Sequence, residues 1–240
     1  MKKIALWSLL VVFLIMFVVS CGGKTSLQGK VVGGKTSIEG KVVDGKGQPL
    51  AKVKVAAEMS QPIKGYEQLE TTTGTDGVFT FKKLFPTSEY QLIFYSDRWT
   101  TGKKMKMDSG LEGQTKMLPE PMMIRFMDSK GGVVLDTKTD LMWAAQDSGS
   151  PMNWANAKSY CENYRGGGYT DWRMPTQREL TGLYDGNAHK GSVQITRNLL
   201  WAAEIRRSAA AFFNFSSGFR GFSSQHNAGD MRALPVRSSK

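Results

Sequence analysis

Cysteine and histidine are almost absent from this chain: 240 residues carry two of each, Cys21 and Cys161, His189 and His226. That count excludes a disulfide-stapled scaffold and a zinc centre built on several thiolates. A zinc site would have to recruit carboxylates, and both histidines lie in stretches rich in Gly, Asn and Ser, where an imidazole is expected in a solvated loop. Acid is also scarce, with 21 Asp and Glu against 32 Lys and Arg and a formal charge of +11. A basic surface selects anionic partners such as lipid headgroups, acidic polysaccharide or nucleic acid, and says little about fold. No apolar run reaches the ~20 residues of a spanning helix. The longest, Ile4 to Val19, has 16.

That run follows Met1, Lys2 and Lys3 and ends at Ser20 and Cys21, the layout of a secretory signal. A short anchor helix is the alternative reading of the same residues. The quartet "VVSC", Val18 to Cys21, resembles the lipobox of bacterial lipoproteins. The resemblance implies removal of residues 1–20, acylation of Cys21, and a membrane partner reached through the lipid. Several acyl chains, at ~0.8 kcal/mol per buried methylene, hold a soluble domain firmly. Gly22 after the cysteine implies, by the same resemblance, the outer membrane. Loss of residues 1–20 takes the formal charge to +9, and export argues against nucleic acid as a partner. Cys161 is then left without a partner for an intrachain disulfide.

After the lipid site, "GGKTSLQGKVV" (Gly22 to Val32) is followed without a gap by "GGKTSIEGKVV" (Gly33 to Val43), identical at nine of eleven positions. Units this short fall below the ~20 residues of a solenoid repeat. The second copy reads as running into the first strand of a domain and the first as part of a tether; Leu27 to Val32 suits an edge strand as well. From Ile38 onward, short alternating runs such as "AKVKVAA", "VFTFKKL" and "YQLIFYS" are separated by Asp44-Gly45 and Asp76-Gly77, which predicts an antiparallel sandwich. "LPEPM", Leu118 to Met122, reads as a junction. Composition changes across it: residues 21–122 hold fourteen Lys and one Arg, and residues 123–240 five Lys and ten Arg. Guanidinium forks match carboxylate, sulfate and phosphate bidentately, so anion recognition is sought in the second half, against the plainer reading that these arginines pair with its ten acids.

The densest stretch is "GGYTDWRMPTQREL", residues 167–180. Upstream, Trp154, Ala157, Cys161 and Tyr164 fall on one helical face, with Asn153 placed to cap its start and Gly166 to Gly168 to end it. Thr176 and Glu179 have capping-box spacing, and Leu180, Leu183 and Tyr184 make the buried stripe of the helix that follows. Trp172 and Arg173 point to opposite faces of a short β-type run, with Trp172 expected in the core. Catalysis would need Asp171, Glu179, Asp185 or a histidine to converge in one pocket, and the spacing gives no sign of it. Neither a catalytic residue, a metal site nor a cofactor is assigned, and the chain is not read as an enzyme.

Two resemblances extend this reading. The order "GKVVDGKGQPLAKVKV", "TTGTDGVFTF", "YQLIF" resembles the carboxypeptidase regulatory-like domain, a transthyretin-like β-sandwich that implies a spacer or interaction module. "VVLDTKTDLMW", "NWANAKSYC", "GGYTDWRMPTQREL", "LLWAAE", "FFNFSSG" and "ALPVRS" resemble the C-terminal domain of bacterial collagen-like adhesins. That family implies a C-type-lectin-like fold and a contribution to binding sulfated glycosaminoglycans. Its motif residues fall here on Trp143, Trp154, Asp171, Trp172, Arg173, Pro175, Thr176, Glu179 and Trp201. Three departures are visible: Asp140 stands where the family has Gly, Ala202 and Ala203 replace small hydroxyl residues, and Pro235 occupies the region of a second cysteine, which makes Cys161 a buried small hydrophobe.

The expected layout is a multidomain chain, an all-β sandwich followed by an α+β C-type-lectin-like domain: 1–20 signal peptide, 21–37 tether, 38–117 sandwich, 118–122 linker and 123–238 the adhesin-like domain. Arg206, Arg207, Arg220 and Arg232, set among Phe, Ser and Asn, are the candidate ligand-binding residues, facing an anionic polysaccharide or another envelope protein. The alternative is a non-catalytic envelope scaffold with a protein partner.

Overall fold

Alternation that buries every second residue explains most of the strands in the first half. In the computed structural model, which describes residues 36–185, 187 and 191–240, β1 spans Thr36–Asp44, β2 Lys54–Met59, β3 Gln68–Thr72, β4 Val78–Leu84, β5 Glu89–Tyr95 and β6 Trp99–Asp108. Short β7 (Thr115–Met117) and β8 (Met122–Ile124) follow. The signal-like start, Cys21, the first tandem copy and His189 lie outside the described residues. Two sheets, one of β4, β1, β7 and β8 and the other containing β6, β5, β2 and β3, enclose one core in which Ile38, Val42, Phe79, Phe81, Leu92 and Phe94 are buried. Burial of each such side chain contributes roughly 1.5–3 kcal/mol.

The expected turns form at Asp44 and Asp76. Asp44 Oδ1 accepts from the N–H groups of Lys46 and Gln48, and Asp76 Oδ1 from that of Val78. The sheets are not purely antiparallel, because β1 pairs in parallel with both β7 and β8. The "LPEPM" segment therefore runs along β1, with Leu118 N donating to Glu39 O and both Leu118 and Met122 buried. Pro119 and Pro121 lack the N–H a ladder needs, which divides this strand into two short pieces.

The second half begins with an antiparallel run of β9 (Phe126–Ser129), β10 (Val133–Asp136) and β11 (Leu141–Ala144), closed by β15 (Val236–Ser238). It joins the sheet of the first half, since β9 pairs β6 through Trp99 opposite Ser129 and Thr100 opposite Asp128. Helices α1 (Trp154–Glu162) and α2 (Gln177–Asp185) precede a three-stranded sheet of β12 (Leu199–Arg206), β13 (Ala209–Asn214) and β14 (Arg220–Ser224). The chain is β-rich throughout.

Two polar links tie the halves together, from Gly45 and Lys46, and a third braces the second half at its start. Arg125 holds buried Asp136 bidentately, at 2.8 and 2.7 Å, and donates to Gly182 O in α2. Thr137 Oγ1 accepts from Gly45 N at 2.8 Å. Lys46 Nζ lies 2.6 Å from Asp140. Asp140, at the position where glycine was expected, has φ +56. A short polar side chain tolerates that left-handed conformation better than most, and here its carboxylate takes the lysine. The Lys46 hydrogen bond, with Lys240 adding to it, holds the Asp140 carboxyl below the usual carboxylate range.

Candidate functional site

Local chemistry builds the central motif much as its spacing predicts. Asn153 Oδ1 accepts from Asn156 N and starts α1, whose Ala157 and Cys161 are buried. After the helix, Gly167 and Gly168 take φ +65 and +81. Gly131 packs against Gly167 so closely that a Cβ on Gly131 would meet the Gly167 Cα at 2.9 Å, and Gly167 N donates to Gly131 O. Trp172 is buried, donates from Nε1 to Gly166 O at 3.2 Å and meets Tyr164 edge to face at 4.9 Å. The β-type run is reduced to a bridge in which Arg173 and Val236 exchange both main-chain hydrogen bonds.

The capping box is formed: Thr176 N donates to Glu179 Oε2 at 2.8 Å and Glu179 N to Thr176 Oγ1 at 3.2 Å. Arg173 grips the same carboxylate bidentately, at 2.9 and 2.6 Å. Glu204, from β12, accepts from Gln177 N with both oxygens, so a second carboxylate sits on the positive end of α2. Burial works to raise the Glu179 carboxyl, but Arg173 and the Thr176 groups outweigh it and leave it below the usual range. Asp171 turns elsewhere and bonds Arg237 Nε at 2.7 Å and Nη2 at 3.2 Å, which lowers its carboxyl as well. Pro175 is buried, and its carbonyl accepts from Ala203 N. Trp201 and Trp154 donate to the carbonyls of Met152 and Ala202, while Trp143 is buried with no acceptor for Nε1.

The four candidate arginines separate. The register sets Arg206 opposite Ala209, Ala209 opposite Ser224, Ala211 opposite Phe222 and Phe213 opposite Arg220, so Arg206, Phe222 and Arg220 share one face of the sheet. All three are exposed, and the Arg206 guanidinium lies 4.6 Å from the Phe222 ring centroid. Arg207 is exposed at the β12–β13 turn with φ +55. None of the ion pairs among the described residues uses Arg206, Arg207 or Arg220.

Arg232 does not join them, which corrects the expectation of four surface forks. It is buried beside Asp147, 3.8 Å away, between Met231 and Ala233, and its Nε and Nη1 have no protein acceptor. Its main chain is stitched to β12 by Trp201 N donating to Arg232 O and Arg232 N to Leu199 O, and this draws the side chain inside.

Residues 132–237 match the family of the Lcl C-terminal domain. No curated protein matches the chain. Among solved structures, the adhesin InvE of Yersinia pseudotuberculosis is similar at 11% identity and a TM-score of 0.28, over 78% of this chain and 60% of that one. The chain thus spans less than two thirds of that adhesin's length. The Lcl-matching region contains all the motif tryptophans, both capping carboxylates of α2 and all four candidate arginines.

Within the Lcl-matching region, burial pushes the Cys161 thiol up to about 12, so it stays a protonated core residue. His226 is exposed in the turn after β14. Among the described residues no three of His, Cys, Asp and Glu converge as a metal site, and no helix is long and apolar enough to cross a membrane. Spacing gave no hint of Asp128 on β9. Its Oδ1 is buried without a partner, and burial raises its carboxyl against the opposing Ser192 hydrogen bond. It borders a cleft of about 440 Å³ with Lys103, Met123 and Phe126 at the seam of the two halves.

Proposed function

We infer that this chain is an exported, lipid-anchored envelope protein that binds rather than catalyses, and that it holds an anionic polymer such as a sulfated glycan on the β12–β14 face. The observation that carries the reading is the Arg206–Phe222–Arg220 arrangement: two guanidinium forks without carboxylate partners beside an exposed ring. Forks of this kind bind sulfate bidentately, and a ring offers an apolar face to a sugar. Ala209 and Phe213, their partners on β13, are four residues apart, so the forks span ~13 Å along the strand at ~3.3 Å per residue, room for more than one anionic group. The Lcl match supports an adhesin-type role. A transthyretin-like sandwich over 38–117, a junction at 118–122 and a C-type-lectin-like domain over 123–238, carried in the outer membrane by acylated Cys21 at the end of a 21–37 tether, complete this reading. Asp171 and Glu179, each held ionised by its own arginine, leave the central motif without a free carboxyl for proton transfer, which supports binding over catalysis.

A second reading, a scaffold with a protein partner, is favoured by the apolar side chains on the same sheet. Ile205 and Phe219 are 51% and 59% exposed, and β14 has no strand on its outer edge among the described residues. A panel of sulfated and unsulfated glycans, titrated over a salt series, separates the two. Saturable, salt-sensitive binding confined to sulfated chains supports the first reading. No binding at low salt moves the assignment to the second.

A further inference from the structure

The cleft at the seam of the two halves holds a charged group that the fold leaves unsatisfied. Asp128 of β9 lies opposite Thr100 of β6, and in the direction of β6 this rung is the last of their ladder. Immediately beyond it, Thr101, Gly102 and Lys103 together face the single residue Phe94 of β5, where a regular ladder would set one residue against one. A bulge of this kind ends pairing and re-aims side chains. The space beside it, about 440 Å³, is lined by Met123 and Phe126 and by the polar side chains of Thr101, Lys103, Asp128 and Ser192. That volume is within the range of small-ligand sites.

Two opposite charges border this space, and none of the ion pairs among the described residues joins them. Asp128 Oδ1 is buried and has no partner among the described residues. The Ser192 hydroxyl bonds the same carboxyl, but burial outweighs it and raises the group. A buried carboxylate oxygen without a donor costs stability, and one that borders a cleft marks a place where a ligand can supply the donor. Lys103 Nζ is tied to Met123 O at 3.0 Å, which leaves two of its three N–H donors for another acceptor. Arg125, the other cation beside the cleft, is committed to Asp136 and Gly182 O.

We propose that this cleft binds a small zwitterion of the α-amino acid class with an apolar side chain. Its ammonium donates to Asp128 Oδ1, its carboxylate takes the remaining donors of Lys103, and its side chain lies against Met123 and Phe126. Charge selects the class. A plain amine is repelled by Lys103 and a plain carboxylate by Asp128, whereas a molecule that carries both signs is attracted at each end. Lys103 follows Thr100 by three residues, at most ~10 Å along a strand, so one small molecule bridges the two groups. The site is separate from the β12–β14 face and does not depend on what that face binds.

Isothermal titration calorimetry on the full chain tests this with L-leucine, L-methionine and L-phenylalanine, and with two analogues of leucine: isoamylamine, which lacks the carboxylate, and isocaproate, which lacks the ammonium. At least one of the amino acids should bind saturably, and each analogue at least about tenfold more weakly than leucine, as expected for losing a charge-assisted contact. Asp128→Asn and Lys103→Met should each weaken amino acid binding by a similar factor. Because Asp128 Oδ1 has no partner to lose, Asp128→Asn should leave Tm unchanged or raise it. No saturable binding of any of the three amino acids, an analogue that binds as tightly as leucine, or binding unchanged in Asp128→Asn would each overturn the proposal. So would a lower Tm for Asp128→Asn, which would mean that the carboxylate serves the fold.

Discussion

Arg237 lies 3.9 Å from the ring centroid of Tyr169 while its Nε bonds Asp171 at 2.7 Å, and this stack closes the corner on which the central motif is built. The guanidinium is almost fully buried, with Met142 Sδ on its third side, whereas Asp171 is more than half exposed. Asymmetry follows, because an exposed carboxylate left alone is solvated and a buried guanidinium left alone is not. Arg237→Ala also loses packing against two side chains. It should lower Tm by about 4–8 °C, at ~2–4 °C per kcal/mol for a chain of this size. Asp171→Asn, which keeps an acceptor for the guanidinium, should cost less than half of that. Calorimetry on the two variants checks the order.

The Glu179 carboxyl is depressed in the folded chain, so its contribution is present above its ordinary value of 4.5 and is lost as pH falls through the lower folded value. The stability gap between the wild type and Glu179→Gln should therefore be widest near neutrality, narrow below pH 4.5 and close once the carboxyl is protonated in both states. A gap that persists unchanged into acid would show that the glutamine, and not the lost charge, causes the defect. Urea titrations at a series of pH values provide the comparison.

Asp140 tests the link between the two halves. Asp140→Ala keeps the left-handed backbone and removes the Lys46 partner, so it should lower Tm. Asp140→Gly relieves the backbone while removing the same pair, and should sit about 2–4 °C above the alanine variant. Equal effects would mean that φ at this position carries no cost.

Arg232 and Asp147 predict the reverse of a binding pair. Asp147 is held by Thr196 N at 2.6 Å and Gly149 N at 2.9 Å without help from Arg232, whose own Nε and Nη1 have no acceptor. Arg232→Met should be tolerated and leave glycan binding unchanged. Asp147→Ala should cost about 3 kcal/mol or more, because it strips Thr196 N and Gly149 N of their acceptor and leaves the buried guanidinium, 3.8 Å away, without a counter-charge. Denaturation paired with a binding assay separates these roles.

What was legible in the sequence is what acts over a few residues. Asn153 to Asn156 and Thr176 to Glu179 are contacts across one helical turn, and both formed as their spacing predicts. Contacts between distant segments were not legible. The parallel seats of β7 and β8 on β1 and the grip of Arg237 on Asp171 join parts of the chain that no local pattern connects. "LPEPM" read as a junction because prolines break ladders, and its burial along β1 is set by a strand some eighty residues earlier. Arg232 read as one of four ligand-binding forks set among Phe, Ser and Asn. The signal that could have corrected this lay after it, in the apolar run "ALPV" that carries the chain into the core. Phe222 was visible only as one of several aromatics until the register put it under Arg206.

Retention on immobilised heparin is the measurement to make on the binding surface, comparing Arg206→Ala, Arg220→Ala with a charge-matched control, Arg98→Ala, Arg165→Ala, at exposed positions elsewhere. The site on the β12–β14 face predicts that the first pair elutes at markedly lower salt, with affinity reduced about tenfold or more, as expected for losing charge-assisted hydrogen bonds. The control pair should shift only slightly. Equal shifts for the two pairs would mean that net charge alone holds the polymer, and would contradict a site built from Arg206, Phe222 and Arg220.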